Sequence, residues 1–572
     1  MTEHHDILVS RSEIAELAGV RRPAVSNWER RHRDFPHPVR SGEVELFPLS
    51  GIVAWLRPRK IPANALREDE TAGTSYADRF LKNFAESGRG RPEEGREKEQ
   101  GHTRTPGAAA AGQAVQRLMD PSAVKQAFGT LPTAGYVDFL LDLLYLRQQN
   151  PEGWRRFREN MPDPVTPASL ASRLQTSLLR AFNRSLLPTD ALEHRSGVPY
   201  VDGLPALLDT VDALDPRAEG TGEAFSLLLD RYGEMEERRG VSLTPHSLAR
   251  AVARVLVSPE RPVHSVHDPF CRSGSLLVAV LQEQRAHGNR PSPAVSGESP
   301  DPRNAHITRM HVELHGAKAA ISVGAGAPFI RPGATSDLVV VNPPFNTRTV
   351  HESAVREHAP FPYGAPPPHN DNYAWLQHAL LCLREGGRAA VLMAGGAAFS
   401  SHGQEAAIRT RMVEDGAVEC LVAFPAGLFP STGVAVNLWI LKPPTGNCEE
   451  VLFIDAGRFG SPVSRTLRVL DDREIESVRR AYAGWRSAGR RGAAHGGVEG
   501  LSRAVRLSEI REKEFNLSPA VHVHPGSDAP DTVGQTARLA RLTAELDRLH
   551  SRSVEVDAGV DRILRRVSTW MR

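Results

Sequence analysis

Val339-Val340-Val341-Asn342-Pro343-Pro344-Phe345-Asn346 decides how this chain is read. A run of branched apolar residues makes a strand buried on both faces. The run breaks at an amide, two prolines and an aromatic ring. Together they form a pocket suited to a flat, hydrogen-bonding substrate. A strand that merely ends in a proline-rich turn is the plain alternative, and so short a motif does not separate the two.

The surrounding sequence, residues 238–460, alternates strand and helix signals. Strands are expected at Val263–His267, Ala294–Gly297, Leu338–Val341, Arg388–Met393, Val418–Ala423 and Val434–Leu441. This pattern predicts an α/β domain with a mostly parallel sheet and helices on both faces. Ligands in such sheets sit beyond the carboxyl ends of the strands. Thr244-Pro245 reads as the N-cap and first-turn proline of a helix. Asp268 to Ser275 leaves a strand as a turn whose one glycine, Gly274, lets backbone approach a ligand. Glu298 ends the next strand, where a carboxylate can accept both hydrogens of a ribose cis-diol. Asp268 can accept from the ammonium or a bound water of a cofactor. Without the full glycine-rich pattern, this turn alone reads equally well as a surface turn.

The chain has 572 residues, too many for one core, so several domains are expected. Net charge is only +2, so nucleic-acid affinity has to come from local patches. Cys271, Cys382, Cys420 and Cys448 show no paired spacing. That argues against a disulfide scaffold or zinc knuckle and fits a reducing cytoplasm. No apolar run is long enough to span a bilayer, and the polar N-terminus argues against a signal peptide. A cytoplasmic location with no membrane partner is the expectation.

Residues 1–65 read as a winged helix-turn-helix. Ser10 and Glu13 form a capping box, and Ala15, Gly19 and Val25 fit the motif's spacing. The second helix would present Arg22, Ser26, Asn27 and Arg30 to phosphates and base edges. A helical hairpin that binds protein is the alternative. Residues 66–118, poor in large apolar side chains, read as a disordered tether. An all-α domain over 119–237 follows from the spacing of Tyr136, Phe139, Leu140, Leu143 and Leu144, and of Leu174, Leu178, Leu179 and Phe182. Residues 461–525 form an extension. Residues 526–572, with Leu539, Leu542, Leu546 and Leu549 on one face, read as a coiled-coil-like arm.

The order Thr244-Pro245, Asp268 to Ser275, Gly297-Glu298 and Asn342 to Phe345 resembles the gamma-type adenine-N6 DNA methyltransferases. The resemblance is specifically to the modification subunit of type I restriction-modification systems. It extends to Glu313-Leu314-His315-Gly316, Arg384 to Val391, Phe424 to Phe429, Thr432-Gly433-Val434, Phe453 to Ala456 and Glu514 to Pro519. It implies a Rossmann-like methyltransferase sheet and S-adenosylmethionine as methyl donor. Thr244, Pro245, Asp268, Phe270, Ser273, Gly274 and Glu298 would then bind the cofactor. Asn342, Pro343, Pro344 and Phe345 would form the catalytic turn around an adenine flipped out of double-stranded DNA. The implied partners are a specificity subunit and a restriction subunit, or self-association through the C-terminal arm. The implied setting is restriction-modification or phage defence.

Phe270, Arg272 and Ser275 depart from the family, where small residues stand. Gly324 to Pro328 lacks the usual acidic or amide residue. The alternative is a non-catalytic DNA-binding regulator or scaffold on the same fold. A protein-glutamine methyltransferase also uses an Asn-Pro-Pro-aromatic turn, but the flanking matches disfavour it.

Overall fold

The computed structural model describes residues 8–62 with gaps between 21 and 43, 73–86, 106–124 apart from 123, 134–159, parts of 170–180, and 204–236 apart from 215–219. It also describes 243–524 apart from 261, 289–291, 325–334, 349–359, 430–432, 464–466 and 491–496. The chain divides into two compact units, residues 1–103 and 104–572.

The first unit holds β1 (Leu8–Ser10), α1 (Arg11–Ala18), β2 (Val39–Ser41), β3 (Val44–Pro48), α2 (Leu49–Leu56) and α3 (Tyr76–Glu86). β3 pairs antiparallel with both β1 and β2. Ile14, Ala15, Leu17 and Val25 are buried with Phe35, Phe47 and Trp55. Gly19, at φ 67°, ends α1 in the left-handed region that glycine tolerates. Asn27 is helical and exposed. Arg22, Ser26 and Arg30 lie outside the described residues.

The expected tether over 66–118 is corrected at both ends. Ser75 and Asp78 cap α3 reciprocally, the Ser75 N–H donating to Oδ2 of Asp78 at 2.8 Å. Ala77 and Phe80 of α3 are buried in the first unit's core. The second unit opens with α4 (Pro106–Leu118), whose Ala111, Ala114, Val115 and Leu118 are buried. Alanines at helical spacing bury a face without the bulk that marks an apolar stripe.

The all-α region supplies α5 (Ala134–Gln149), α6 (Pro151–Glu159), α7 (Leu204–Asp212) and α8 (Gly220–Glu236). Tyr136, Phe139, Leu140, Leu143, Leu144 and Leu174 are all buried there. Leu178, Leu179 and Phe182 lie outside the described residues.

The sheet region follows with α9 (His246–Leu256), β4 (Ser265–Asp268), α10 (Ser275–Ala286), β5 (Ala294–Ser299), α11 (Pro302–Leu314), β6 (Ala319–Val323) and β7 (Ser336–Val341). Then come α12 (Asn372–Leu381), β8 (Leu383–Ala394), α13 (Gly403–Glu414), β9 (Val418–Phe424), β10 (Val436–Leu441) and β11 (Glu450–Asp455). A ribbon of β12 (Ser461–Pro462) and β13 (Arg468–Val469) precedes α14 (Asp472–Arg490), β14 (Ser502–Arg506), α15 (Leu507–Glu512) and α16 (Pro519–Val523).

The nine strands run in the order β14-β11-β9-β10-β8-β7-β4-β5-β6. From β6 to β8 every pairing is parallel, whereas β10 is antiparallel to both neighbours. Val339 and Val341 pack with α12 and α13 on one face, while Leu338 and Val340 pack with α9 and α10 on the other. Each such side chain contributes about 1.5–3 kcal/mol by leaving water. That is why the strand reads as continuously apolar.

The described residues of 461–524, expected as part of an extension over 461–525, belong to this body. β14 pairs with β11 at the sheet edge, and α16 packs its Val523 into the core. Residues 526–572, where the helical arm was expected, lie outside the described residues. Among the described residues, no helix is long and apolar enough to cross a membrane.

Candidate active site

β4 has β5 on one side and β7 on the other, so the sheet grows both ways from this point. Such a switch point opens a crevice beyond the strand ends. The turns that follow β4 and β7 meet there. An open cleft holding about 250 Å³ of empty space is lined by Thr244, Asp268, Phe270, Arg272, Ser273 to Leu276 and Asn342. Five of the expected cofactor residues and the expected catalytic amide therefore face one space. Pro245 sits one residue away, at the start of α9. Glu298 is the penultimate residue of β5, one strand over, and is not among the lining residues.

Two glycines let the β4 turn close. Gly274 has φ 74° and caps α10; a Cβ there would stand 3.0 Å from Cγ2 of Thr308. A Cβ on Gly297 would stand 2.9 Å from the Asp268 carbonyl. The Cys271 N–H then donates to the Glu298 carbonyl at 2.8 Å, pinning the turn to β5. The Phe270 N–H donates to Oδ1 of Asp268 at 2.9 Å.

Burial lifts the Asp268 carboxyl to about 7, against the opposing pull of that N–H and of Arg272. Burial also raises the Glu298 carboxyl. A carboxyl poised this way gains most from a cationic ligand.

The turn is anchored from behind by a residue that periodicity does not flag. The His311 Nδ1 lies 2.8 Å from the Ser273 carbonyl, and its Nε2 lies 2.8 Å from Oγ of Ser226 on α8. A carbonyl only accepts, so Nδ1 donates and Nε2 accepts from the hydroxyl. Burial holds the imidazole well below its usual range, hence neutral. α11 thereby ties the cofactor turn to the helical bundle. Its Ile307, Met310 and Leu314 pack in that bundle's core.

The β7 turn is held on two sides. Nδ2 of Asn342 donates to Oγ1 of Thr244 at 3.0 Å. Thr244 was expected to cap α9, and here the structure corrects the sequence. α9 begins at His246 with no side-chain cap from its own N-cap residue, and Asp230 accepts from the His246 N–H at 3.2 Å. The threonine hydroxyl is thus free to orient the amide.

On the far side Asn346 is left-handed at φ 52°. Asn372 holds it with two bonds: Oδ1 accepts from the Asn346 N–H at 3.0 Å, and Nδ2 donates to Oδ1 of Asn346 at 2.8 Å. Behind it, Oδ1 of Asn370 accepts from the Asn372 N–H at 3.1 Å, and Nδ2 of Asn370 donates to Glu405 at 2.8 Å. The repeated amide in Asn370-Asp371-Asn372 was the available signal. Phe345 meets Phe429 edge to face, centroids 5.8 Å apart. Phe270 meets Trp375 in the same way at 5.1 Å.

The donor set fits a charged amino-acid nucleoside: a buried carboxyl for a cation, hydroxyls and an amide, and the Phe270 ring. Among the described residues, no group of three or more His, Cys, Asp or Glu side chains could hold a metal ion.

A mixed sheet, parallel from β6 to β8, with a glycine turn after β4 and an amide-proline turn after β7, fits the α/β methyltransferase fold. The chain belongs to the N-6 DNA methylase family, whose pattern matches residues 218–529, over half its length. It is an adenine-N6 DNA methyltransferase of the modification-subunit kind and uses S-adenosylmethionine.

The HindI methylase subunit of a type I restriction enzyme from Haemophilus influenzae is 27% identical over 371 residues, covering 64% of this chain and 81% of that one. The MjaVIII methylase subunit from Methanocaldococcus jannaschii is 25% identical over 396 residues, covering 64% of each. Among solved structures, the type I methyltransferase subunit from Streptococcus thermophilus superposes with a TM-score of 0.52. It is 18% identical and covers 72% of this chain and 97% of that one. That likeness concerns the fold.

Proposed function

We propose that the chain methylates adenines flipped out of double-stranded DNA, as the modification subunit of a type I restriction-modification or related phage-defence system. The observation that carries this reading is the Asn342 amide, which lines the cleft and is held there by Thr244. An amide is planar. One Nδ2 hydrogen on the Thr244 hydroxyl fixes the amide's orientation, and Oδ1 is its acceptor.

The target amino group lies inside the duplex, so the base has to leave the stack. Phe345, braced by Phe429, offers a face for the flipped ring. Oδ1 of Asn342 and the backbone carbonyl of Pro343 accept the two amino hydrogens. That shifts electron density onto a nitrogen whose lone pair is otherwise shared with the ring. Pro344 stiffens the turn, and the Asn346–Asn372 pair fixes its exit. S-adenosylmethionine, when bound, supplies the electrophilic methyl. Asp268, Ser273, Gly274, Phe270, Thr244 and Pro245 would hold it, with Glu298 on its ribose. The chain contributes alignment and hydrogen bonding rather than a strong base.

The N-terminal unit would act as a winged helix-turn-helix that adds DNA affinity through Arg22, Ser26, Asn27 and Arg30. Sequence choice would come from a specificity subunit docked on the helical region or on residues 526–572, and a restriction subunit would complete the assembly. Several relatives carry type I methylase-subunit names, which supports this expectation.

The test is modification-sensitive sequencing of DNA from cells carrying the wild-type chain or Asn342→Ala, with and without neighbouring specificity genes. N6-methyladenine at one motif with the wild type only is the expected result. Methylation that persists in the variant would overturn the role of Asn342.

A further inference from the structure

We propose that Arg272 recognises the carboxylate of the cofactor's amino-acid end, opposite Asp268, which takes its ammonium. The proposal rests on the reading of the β4 cleft as the S-adenosylmethionine site.

Arg272 and Asp268 line the same cleft, each on the turn that leaves β4. The Arg272 guanidinium stands 4.9 Å from the Phe270 ring centre, and that ring is itself held edge to face by Trp375. A ring face under a guanidinium restricts its swing and so presents its donors in one direction. Burial lowers this guanidinium to about 10, partly offset by Asp268 and Asp301, so it stays charged at neutral pH.

The sign of that charge is the informative part. S-adenosylmethionine carries two positive groups, a sulfonium and an ammonium, and one negative group, a carboxylate. An arginine set in such a cleft repels the first two. It favours the third, because its planar fork matches a carboxylate's two oxygens. Asp268 meets the opposite requirement for the ammonium. The backbone after Gly274 supports the same polarity, because α10 starts there with no side-chain cap on its first N–H groups. The cleft thus carries both an anion-seeking and a cation-seeking side chain, matching a zwitterionic amino acid.

The test is calorimetric titration of the full-length chain with S-adenosylmethionine, its decarboxylated analogue, and 5′-methylthioadenosine, which lacks the amino-acid end. The wild type should prefer S-adenosylmethionine over the decarboxylated analogue by about tenfold or more. Arg272→Ala should abolish that preference and weaken S-adenosylmethionine by a similar factor, leaving 5′-methylthioadenosine unchanged. Arg272→Lys should restore part of the preference. Equal or tighter S-adenosylmethionine binding by Arg272→Ala would overturn the proposal and make Arg272 a plug in the cleft. Wild-type binding that ignores the carboxylate would overturn it as well, while leaving the cofactor site standing. If the wild type binds none of the three ligands, the cofactor reading of the cleft fails and takes the proposal with it.

Discussion

The turns after β4 and β7 stand side by side at one switch point, yet they are built on opposite principles. The β7 turn is neutral and over-determined. Thr244 grips it at Asn342, Asn372 grips it at Asn346, and Phe429 braces Phe345 between them. The β4 turn is charged and poised, with a buried carboxyl near neutrality and an arginine in the same cleft. On the proposed reading, the difference follows from what each has to do. Nitrogen methylation needs acceptors fixed to a fraction of an ångström. Cofactor capture needs charges that pair when the ligand arrives.

The largest expected effect tests the rigid side. Asn342→Ala should lower kcat by at least about a hundredfold while leaving cofactor affinity near wild type. Single-turnover methylation and calorimetry together read both quantities. Asp268→Asn should do the reverse, weakening S-adenosylmethionine by about 10–100-fold.

Wild-type affinity should also rise between pH 6 and 8, as the carboxyl at about 7 ionises to meet a cation, and the variant should lose that slope. The same carboxyl affects stability. The native state holds its proton up to about pH 7, while the unfolded chain releases it near 3.8. Stability therefore falls as pH rises across that window. Denaturant titrations of Asp268→Asn should show a shallower fall.

Smaller effects test the supports. Asn372→Ala frees the left-handed Asn346 and should cost about tenfold in kcat, with cofactor binding intact. A drop in cofactor affinity of equal size would instead mean that the two turns are coupled. His311→Ala leaves the Ser273 carbonyl without its partner and should destabilise the chain by about 1–3 kcal/mol. Its effect on cofactor affinity should be only a few-fold.

Much of this architecture was legible in the sequence. The strands carrying the site fall where alternating strand and helix signals place them, because a strand covered on both faces has to be apolar throughout. Eight residues of the ordered motifs line one cleft. The misreadings share a cause. α3 and α4 were hidden because alanine faces and a capping box in polar surroundings look like a tether. β14 was missed because an edge strand is half solvated and reads as polar. Thr244 was assigned to its neighbours in sequence, whereas its partner lies 98 residues away.

The sequence by itself determined the strand signals, the Asn342-Pro343-Pro344-Phe345 turn after the most apolar of them, and the glycine of the β4 turn. These are local demands: burial on two faces, φ above zero, and no room for a Cβ. Only the tertiary structure decided that Thr244 orients Asn342, that Asn372 locks Asn346, and that Arg272 shares a cleft with Asp268. Each is a contact between side chains whose geometry is set by the packing of separate elements, and no periodicity records it.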